Sequence, residues 1–356
     1  MSDSPSKPRD ATVQDVAREA GVSKATAARV LGGYSVTSPA VRDKVMTAAR
    51  SLDYRPNEVA RSMTTGRSRA IGVVVADVEN PYFGLAVRGI SDVARAEGFD
   101  VILANSGEDV ERERDAIRML LAKRVDGLIV TPASVHDTEH LRAVEASGRP
   151  IVLLDRYIPS MSVDTVVADD RAAGAAVARR LTEAGHRRIG YVSATACDDP
   201  VYRGAHQLHL STVRDRIEGF LEAAAQAGGG GCERYVRLGV NRLGGGPKIV
   251  ADLMALPDRP TALIASDNVV ALELFKALRA LGIAIPRDLS LIAFHDADWT
   301  SVTTPSITVV AQPCYELGSE SAAALVRRAR GDTTAGRRII LQTRLIERES
   351  VISPPR

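Results

Sequence analysis

The first 55 residues carry apolar side chains at helical spacing. The run from Thr12 to Ala20 repeats them every three or four positions, which predicts a helix with one buried face. Gly21 permits a sharp turn, and a second helix follows from Lys24 to about Leu31. Ser38-Pro39 is typical of a helix start and predicts a third helix that ends near Leu52. The positions expected to face inward are Val13, Val16, Ala17, Ala20, Val22, Ala27, Val30, Leu31, Val41, Val45, Ala48, Ala49 and Leu52.

Polar side chains stand at the starts of the first two helices. Thr12 and Asp15 have the spacing of a capping box, and Ser23 can cap the second helix. Two short helices around a tight turn form a helix-turn-helix, whose second helix enters the major groove of DNA. A helical pair on the surface of an enzyme has the same spacing, so the motif alone leaves both interpretations open. The residues expected at DNA are Thr12, Ser23, Lys24, Ala25, Thr26 and Arg29.

Beyond Arg69, short apolar runs alternate with amphipathic helices, which predicts parallel βαβ units. The openings SRAIGVV and HRRIGYV resemble each other and suggest two lobes of similar build. In such folds a ligand binds at the carboxyl ends of the strands. The predicted strands are IGVVVADV, DVILANS, GLIVTP, PIVLLD, TVVAD, RIGYVSA, RYVRLGV, ALIASD, LSLIAFH and ITVVAQP.

Charge and composition narrow the class of protein. Residues 1–69 hold 12 Lys and Arg against 7 Asp and Glu, whereas the remainder holds 34 against 37, so positive charge is concentrated beside the helix-turn-helix. The three cysteines lack metal-ligand spacing and suit a reducing compartment. The polar N-terminus and the lack of an 18-residue apolar run predict a cytoplasmic protein with no membrane partner. We expect no metal, cofactor or catalytic residue.

A series of segments then identifies a family. ATVQDVAREAGVSKATAARVL, VTSPAVRDKV, YRPNEVARSM and RAIGVVVADVENPYF are followed in order by KRVDGLIVTP, EAGHRRIGYVS, PTALIASDNVVAL, TPSITVVAQP and RLIERES. Together they resemble the lac-type family of bacterial transcriptional regulators over nearly the whole chain. The resemblance implies an all-α helix-turn-helix domain and an α/β core of two lobes with parallel sheets, like that of the periplasmic binding proteins. The expected divisions are a disordered tail at 1–10, the helix-turn-helix domain at 11–55, a hinge helix and linker at 56–67, and the core at 68–356, with lobe crossovers near 170, 300 and 333.

The resemblance also implies a mechanism through the hinge. Isolated helices as short as this one are unstable in water, so the hinge is expected to fold when two copies meet on DNA. Met63 stands where the family usually has a leucine that wedges into the minor groove, and methionine can do the same. An effector that prefers one lobe arrangement would then change DNA affinity by linkage. The hinge residues expected at DNA are Asn57, Ala60, Arg61 and Met63.

The effector site is expected in the cleft between the lobes. Tyr82 and Phe83 could stack on a sugar ring; the alternative is that they pack into the lobe at the start of the helix. Arg216 and Asp267 match the family's effector-contacting arginine and acidic residue, and Asp267 could also cap the following helix. The full expected set is Tyr82, Phe83, Arg156, Arg216, Asn241, Asp267 and Asp296, with Asn241 chosen by position alone.

These patterns predict a homodimeric repressor that binds a pseudo-palindromic operator under the control of a small molecule, a sugar or polyol. Control by a phosphorylated carrier protein is the alternative; an α/β sugar-processing enzyme is disfavoured, because no nucleophile elbow, metal cluster or Walker-type loop is found. The chain departs from the family pattern at Ala27-Ala28 in the second helix, at His295, and in the long stretch 197–213 before Arg216. No heptad extension follows RLIERES, so we expect dimers and not tetramers.

Overall fold

The computed structural model describes residues 11–32, 37–54, 68–195, 197, 199–240 and 245–354. The chain divides into two compact units, Met1–Arg69 and Ala70–Arg356.

The N-terminal unit contains three helices around a small apolar core. Its helices are α1 (Val13–Glu19), α2 (Lys24–Leu31) and α3 (Pro39–Ser51). Gly21 has a φ of +64°, the left-handed conformation that the turn between α1 and α2 requires. Every apolar position predicted to face inward belongs to this core, either fully buried or packed against its edge. The helical period in the sequence therefore predicted the packing of this unit.

The first lobe of the larger unit is built on a six-stranded parallel sheet in the order β2-β1-β3-β4-β5-β11. Its strands are β1 (Ala70–Val75), β2 (Asp100–Asn105), β3 (Gly127–Val130), β4 (Ile151–Leu154), β5 (Asp164–Ala168) and β11 (Arg338–Leu341). Its helices are α4 (Pro81–Ala96), α5 (Val110–Ala122), α6 (Glu139–Ala146) and α12 (Cys314–Ala329). The central strands are buried on both faces, which explains their continuous apolar sequence.

The second lobe repeats this architecture with the sheet order β7-β6-β8-β9-β10-β12, in which only the edge strand β12 is antiparallel to its neighbour. Its strands are β6 (Ile189–Val192), β7 (Val236–Arg237), β8 (Ala262–Ala265), β9 (Ser290–Phe294), β10 (Thr308–Ala311) and β12 (Arg344–Ile346). Its helices are α7 (Asp170–Glu183), α8 (Ser211–Gln226), α9 (Gly246–Met254), α10 (Asn268–Ala280) and α11 (Asp298–Val302), with 3-10 turns at Ala205–Gln207 and Cys232–Tyr235.

The chain crosses between the lobes three times, after Ala168, after Ala311 and after Leu341. The crossing that the resemblance implied near residue 170 follows Ala168. The predictions near 300 and 333 were wrong. At residue 300 the chain has not yet formed β10, which belongs to the second lobe. At residue 333 it is still part of the first lobe: the Arg328 guanidinium, which is bonded to Asp164, also donates hydrogen bonds to the Thr334 and Ala335 carbonyls.

In each lobe a pair of helices crosses at glycines. A Cβ added at Gly174 of α7 would lie 2.1 Å from the carbonyl oxygen of Arg216 on α8, and one at Gly219 of α8 would lie 2.1 Å from that of Arg171. In the first lobe Gly89 and Gly318 bring α4 and α12 equally close. These contacts fix the position of α8, which carries a predicted site residue, against the helix that begins at the first crossing.

Candidate functional site

The start of the N-terminal unit has the predicted caps. Thr12 Oγ1 accepts a hydrogen bond from the Asp15 amide, and Asp15 Oδ2 accepts one of 2.9 Å from the Thr12 amide, which completes the capping box. Ser23 Oγ accepts a hydrogen bond of 3.1 Å from the Thr26 amide at the start of α2. Thr12 and Ser23 are therefore placed as helix caps, and both are at least partly accessible.

The outer face of α2 is exposed and basic. Lys24, Ala25 and Arg29 are exposed and Thr26 is half-buried, whereas Ala27 is fully buried beneath them. Such a face can approach phosphates and base edges without loss of the core contacts of the helix. The hinge residues Asn57, Ala60, Arg61 and Met63 lie outside the described residues, as does Asn241.

A cavity of about 590 Å³ opens between the two lobes of the larger unit. Its wall is formed by the residues that follow β1, β2, β3 and β4 of the first lobe and β6, β8, β9 and β10 of the second, together with the start of α8. The carboxyl ends of the parallel strands of both sheets thus face one volume, the usual position of a ligand in α/β folds. Five of the predicted effector residues are on this wall: Tyr82, Phe83, Arg156, Arg216 and Asp267.

Tyr82 and Phe83 lie in the first turn of α4, after the cap Asn80, whose Oδ1 accepts a hydrogen bond of 3.1 Å from the Tyr82 amide. Their rings meet edge to face with centroids 5.0 Å apart, and each residue is only 5% exposed. The Tyr82 hydroxyl donates a hydrogen bond to Asp155, and burial raises the pKa of Tyr82 well above its usual value. Phe83 also belongs to the core of the first lobe, so it serves both packing and the cavity wall.

Arg156 is a buried cation held by the first lobe alone. Its two terminal nitrogens each lie 2.7 Å from one carboxylate oxygen of Glu108, and Nη1 also donates to the Pro132 carbonyl at 2.8 Å. Its Nε is buried and makes no hydrogen bond to the described residues. The bidentate pair neutralises the charge of this arginine at the cavity wall.

Arg216 of α8 is held by three contacts within the second lobe. Its Nε donates to Asp170 at 2.6 Å and its Nη1 to the Ser266 carbonyl at 2.9 Å, while its guanidinium carbon lies 4.5 Å above the ring of Phe294. Burial raises the pKa of Asp170 to about 7, against the opposing effect of Arg216. The Nη2 donors of Arg216 have no hydrogen-bond partner within the described ranges, so they remain available on the cavity wall.

Asp267 both caps a helix and lines the cavity. Its Oδ1 accepts hydrogen bonds of 2.8 and 3.0 Å from the amides of Val269 and Val270 and caps α10. Its Oδ2 accepts one of 2.7 Å from the Ser266 hydroxyl and lies on the half-buried side chain that lines the cavity. An ionised carboxylate oxygen can accept more than one hydrogen bond, so Oδ2 retains capacity for a ligand hydroxyl.

Asp296 does not line the cavity, which corrects the sequence prediction. Its carboxylate accepts a hydrogen bond of 2.7 Å from Arg348 Nη2 and one of 3.1 Å from the Thr300 hydroxyl. Both donors belong to the second lobe. The preceding residue, His295, adopts a φ of +75° and supplies the side chain at this point of the wall. Burial lowers the pKa of His295, and its Nδ1 lies 3.7 Å from the sulfur of Cys314.

Sequence reasoning missed the partners of the predicted residues. Glu108, Asp155 and Asp170 each hold one of them by a hydrogen bond or ion pair. Glu108 and Asp170 follow predicted strands and Asp155 is the last residue of one, so their position at a carboxyl end was the available signal. The sequence does not show which of these residues pair, because the partners are between 46 and 73 residues apart along the chain.

Comparisons with known proteins agree with this geometry. Residues 68–349 match the family described as periplasmic binding proteins and sugar binding domain of LacI family, and residues 12–57 match bacterial regulatory proteins, lacI family. The chain belongs to the lacI family. It is a DNA-binding transcriptional regulator with a sugar-binding domain, and its relatives are regulators rather than enzymes.

Individual relatives align over most of the regulator. It is 32% identical to the transcriptional regulator GalS of Salmonella typhimurium over 96% of both chains. A LacI family regulator from Enterococcus faecium, solved with bound ribose, is 27% identical with a TM-score of 0.69 over 80% of this chain and all of that one. The lac repressor dimer bound to operator and the anti-inducer ONPF is 24% identical with a TM-score of 0.81, over 97% of this chain and 100% of that one, and shares the fold.

No helix in the described ranges has both the length and the apolar composition needed to cross a membrane.

Proposed function

We propose that the regulator is a cytoplasmic homodimeric repressor, which binds a pseudo-palindromic operator and whose DNA affinity is controlled by a sugar or polyol in the cavity. The supporting observation is that one cavity wall carries both hydrogen-bond donors, on Nη2 of Arg216, and an acceptor with remaining capacity, Oδ2 of Asp267. Adjacent hydroxyls of a sugar both donate and accept hydrogen bonds, so they match these two groups. The bound ribose of the Enterococcus faecium relative is in keeping with this ligand class.

The charges around the cavity favour an uncharged ligand. Arg156 is neutralised by Glu108, and Arg216 by Asp170. A phosphate or carboxylate would meet no unpaired cation among the described wall residues, because each wall arginine already has a carboxylate partner. A neutral, hydroxyl-rich molecule meets no such cost.

On the DNA side, α2 of each subunit would enter a major groove, and Asn57, Ala60, Arg61 and Met63 would reach the minor groove between the half-sites. Thr12, Ser23, Lys24, Ala25, Thr26 and Arg29 would supply contacts to phosphates and bases. An effector that binds one arrangement of the lobes more tightly would change the free energy of operator binding. By linkage, the operator would change the free energy of effector binding by the same amount.

Fluorescence anisotropy with labelled DNA from upstream of the regulator's own gene tests the proposal, at fixed salt and with sugars, polyols and their phosphates added in turn. We expect tight binding that one neutral compound releases. Binding that responds only to a phosphorylated carrier protein would replace small-molecule control by the alternative partner. Lack of sequence-specific binding would contradict the repressor role.

Two substitutions separate the two sites. Asp267→Asn keeps a good helix cap but loses the carboxylate, so effector affinity is expected to fall about tenfold with operator affinity unchanged. Arg29→Ala should weaken operator binding by about 1–3 kcal/mol per half-site and leave effector affinity unchanged. Arg50→Ala, at an exposed arginine on α3, is the matched control for lost charge. A normal effector response in Asp267→Asn would remove Asp267 from the site.

A further inference from the structure

The segment 205–211, which we call the clasp, connects the second lobe to the first beside the cavity. It consists of the 3-10 turn Ala205–Gln207 and the extended residues that lead into Ser211, the first residue of α8. It belongs to the long stretch in which this chain departs from the family pattern. His209 and Leu210 of the clasp are part of the cavity wall.

The clasp is fixed to the second lobe by alternating side chains. Leu208 and Leu210 have extended backbone, and both are buried in the core of that lobe at 1% and 9% exposure. Since successive side chains of an extended segment point to opposite sides, the ring of His209 points away from this core. The Gln207 side chain adds hydrogen bonds to the Val201 carbonyl at 3.2 Å and from the Arg203 amide at 2.6 Å.

The same segment is bonded to the first lobe. The Val135 amide donates a hydrogen bond of 2.9 Å to the His209 carbonyl, and the Tyr157 amide donates one of 3.0 Å to the buried Ser211 hydroxyl. The rings of His136 and His209 meet edge to face with centroids 5.5 Å apart. Any change in the lobe arrangement at this edge must break or re-form these contacts.

The loop of the first lobe that receives the clasp is itself rigidly held. The Ser134 hydroxyl accepts hydrogen bonds from the amides of His136 and Asp137, at 3.1 and 3.2 Å. The fully buried Glu113 accepts one of 2.7 Å from the Ala133 amide. The His209 ring therefore has a defined position, rather than that of a free surface side chain.

His209 is both exposed and part of the wall, so it lies where the cavity opens to solvent. We propose that His209 is a specificity-determining residue for the effector, presented by the clasp as a hydrogen-bonding group at the mouth of the cavity. Its imidazole supplies one donor and one acceptor in the neutral form, which suits a hydroxyl on the outer part of the ligand. This inference rests on the proposed function, because it requires an effector in the cavity.

Three histidine positions allow matched variants. His209→Leu keeps bulk but loses the polar atoms, whereas His209→Gln keeps a donor and an acceptor. His206→Ala is the control, because His206 is an exposed histidine of the same clasp that does not line the cavity. His136→Ala removes the ring contact while leaving the cavity wall intact.

The dissociation constants of D-ribose, D-galactose, cellobiose and D-mannitol are measured by calorimetry for the unchanged protein and each variant. We expect His209→Leu to weaken the bound compounds unequally, by about two- to tenfold for those that reach His209, with the melting temperature of the free protein unchanged. His209→Gln should restore most of the affinity, and His206→Ala should change nothing. Equal weakening of every compound together with a lower melting temperature, or affinities that match those of His206→Ala, would overturn the proposal.

The clasp is also tested without a ligand. Hydrogen exchange of the free protein should be slow in the peptides that contain the Val135 and Tyr157 amides, and faster around Tyr157 in Ser211→Ala. Exchange as fast as in exposed loops would show that the clasp is open in solution and would overturn the role of His209. If the clasp is protected but no compound of the panel binds, the proposed sugar or polyol control fails instead.

Discussion

Gly174→Ala tests whether the crossing of α7 and α8 positions the effector site. The new Cβ would lie 2.1 Å from the Arg216 carbonyl oxygen and 2.9 Å from its carbonyl carbon. Carbon and oxygen atoms at such helix crossings normally stay about 3.3 Å or more apart, so the two helices must separate by roughly 1 Å. The Arg216 side chain, bonded to Asp170 at 2.6 Å, would move with α8.

The expected cost follows from this displacement. Overpacking costs about 1–3 kcal/mol, which lowers the melting temperature by about 2–10 °C in a domain of this size, less a small gain from the helix propensity of alanine. Since a hydrogen bond lengthened by about 1 Å is lost, we expect effector affinity to fall by about tenfold. Differential scanning fluorimetry and effector titration measure the two effects.

Gly84→Ala is the matched control, because Gly84 also lies within a helix but a Cβ there meets no atom within 4 Å. We expect it to raise the melting temperature slightly, since alanine is the better helix former. A Gly174→Ala protein with the stability and effector response of the Gly84→Ala protein would refute the reasoning.

Two further predictions concern residues outside the cavity. Asp296→Asn should leave effector affinity within about twofold of the unchanged protein, because Asp296 pairs with Arg348 and does not line the wall; calorimetry with a bound sugar checks this, and a large loss would return Asp296 to the site. Burial lowers the pKa of His186 in the folded protein, so below the ordinary pKa of 6.5 the unfolded chain binds more protons than the folded one. The stabilisation from neutral His186 is therefore present above pH 6.5 and is lost as the pH falls through the lower folded pKa. Urea unfolding between pH 7.5 and 5 should therefore show a steeper loss of stability on acidification in the unchanged protein than in His186→Gln, and parallel curves would contradict this.

Local patterns predicted local structure well. The helical period assigned the inward side chains of α1, α2 and α3, because each buried face there is set by neighbours one turn away. The central strands of both sheets were also predicted, since strands buried on both faces read as continuous apolar runs. The strands β11 and β12 were missed. They are short and half-exposed edge strands, so their apolar signal is weak.

Long-range pairing was not predictable in the same way. Asp267 was placed correctly on the wall because a cap and a strand end are both local features. At the end of β9, a positive φ at His295 sends its side chain, rather than that of Asp296, to the cavity. The pairs of Arg156 with Glu108 and of Arg216 with Asp170 join distant parts of the chain, and only the folded sheets bring them together.

The three lobe crossings also determine the order in which parts of the regulator are completed during translation. The first lobe lacks α12 and its edge strand β11 until Leu341 has been synthesised, whereas α1, α2 and α3 of the N-terminal unit have all been synthesised by Tyr54. At ordinary rates of translation about 15 to 60 s separate these two points. During this time each nascent chain carries the three helices of its DNA-binding unit but an incomplete sugar-binding domain, and a chain that stops between these residues would keep the first without ever gaining the second.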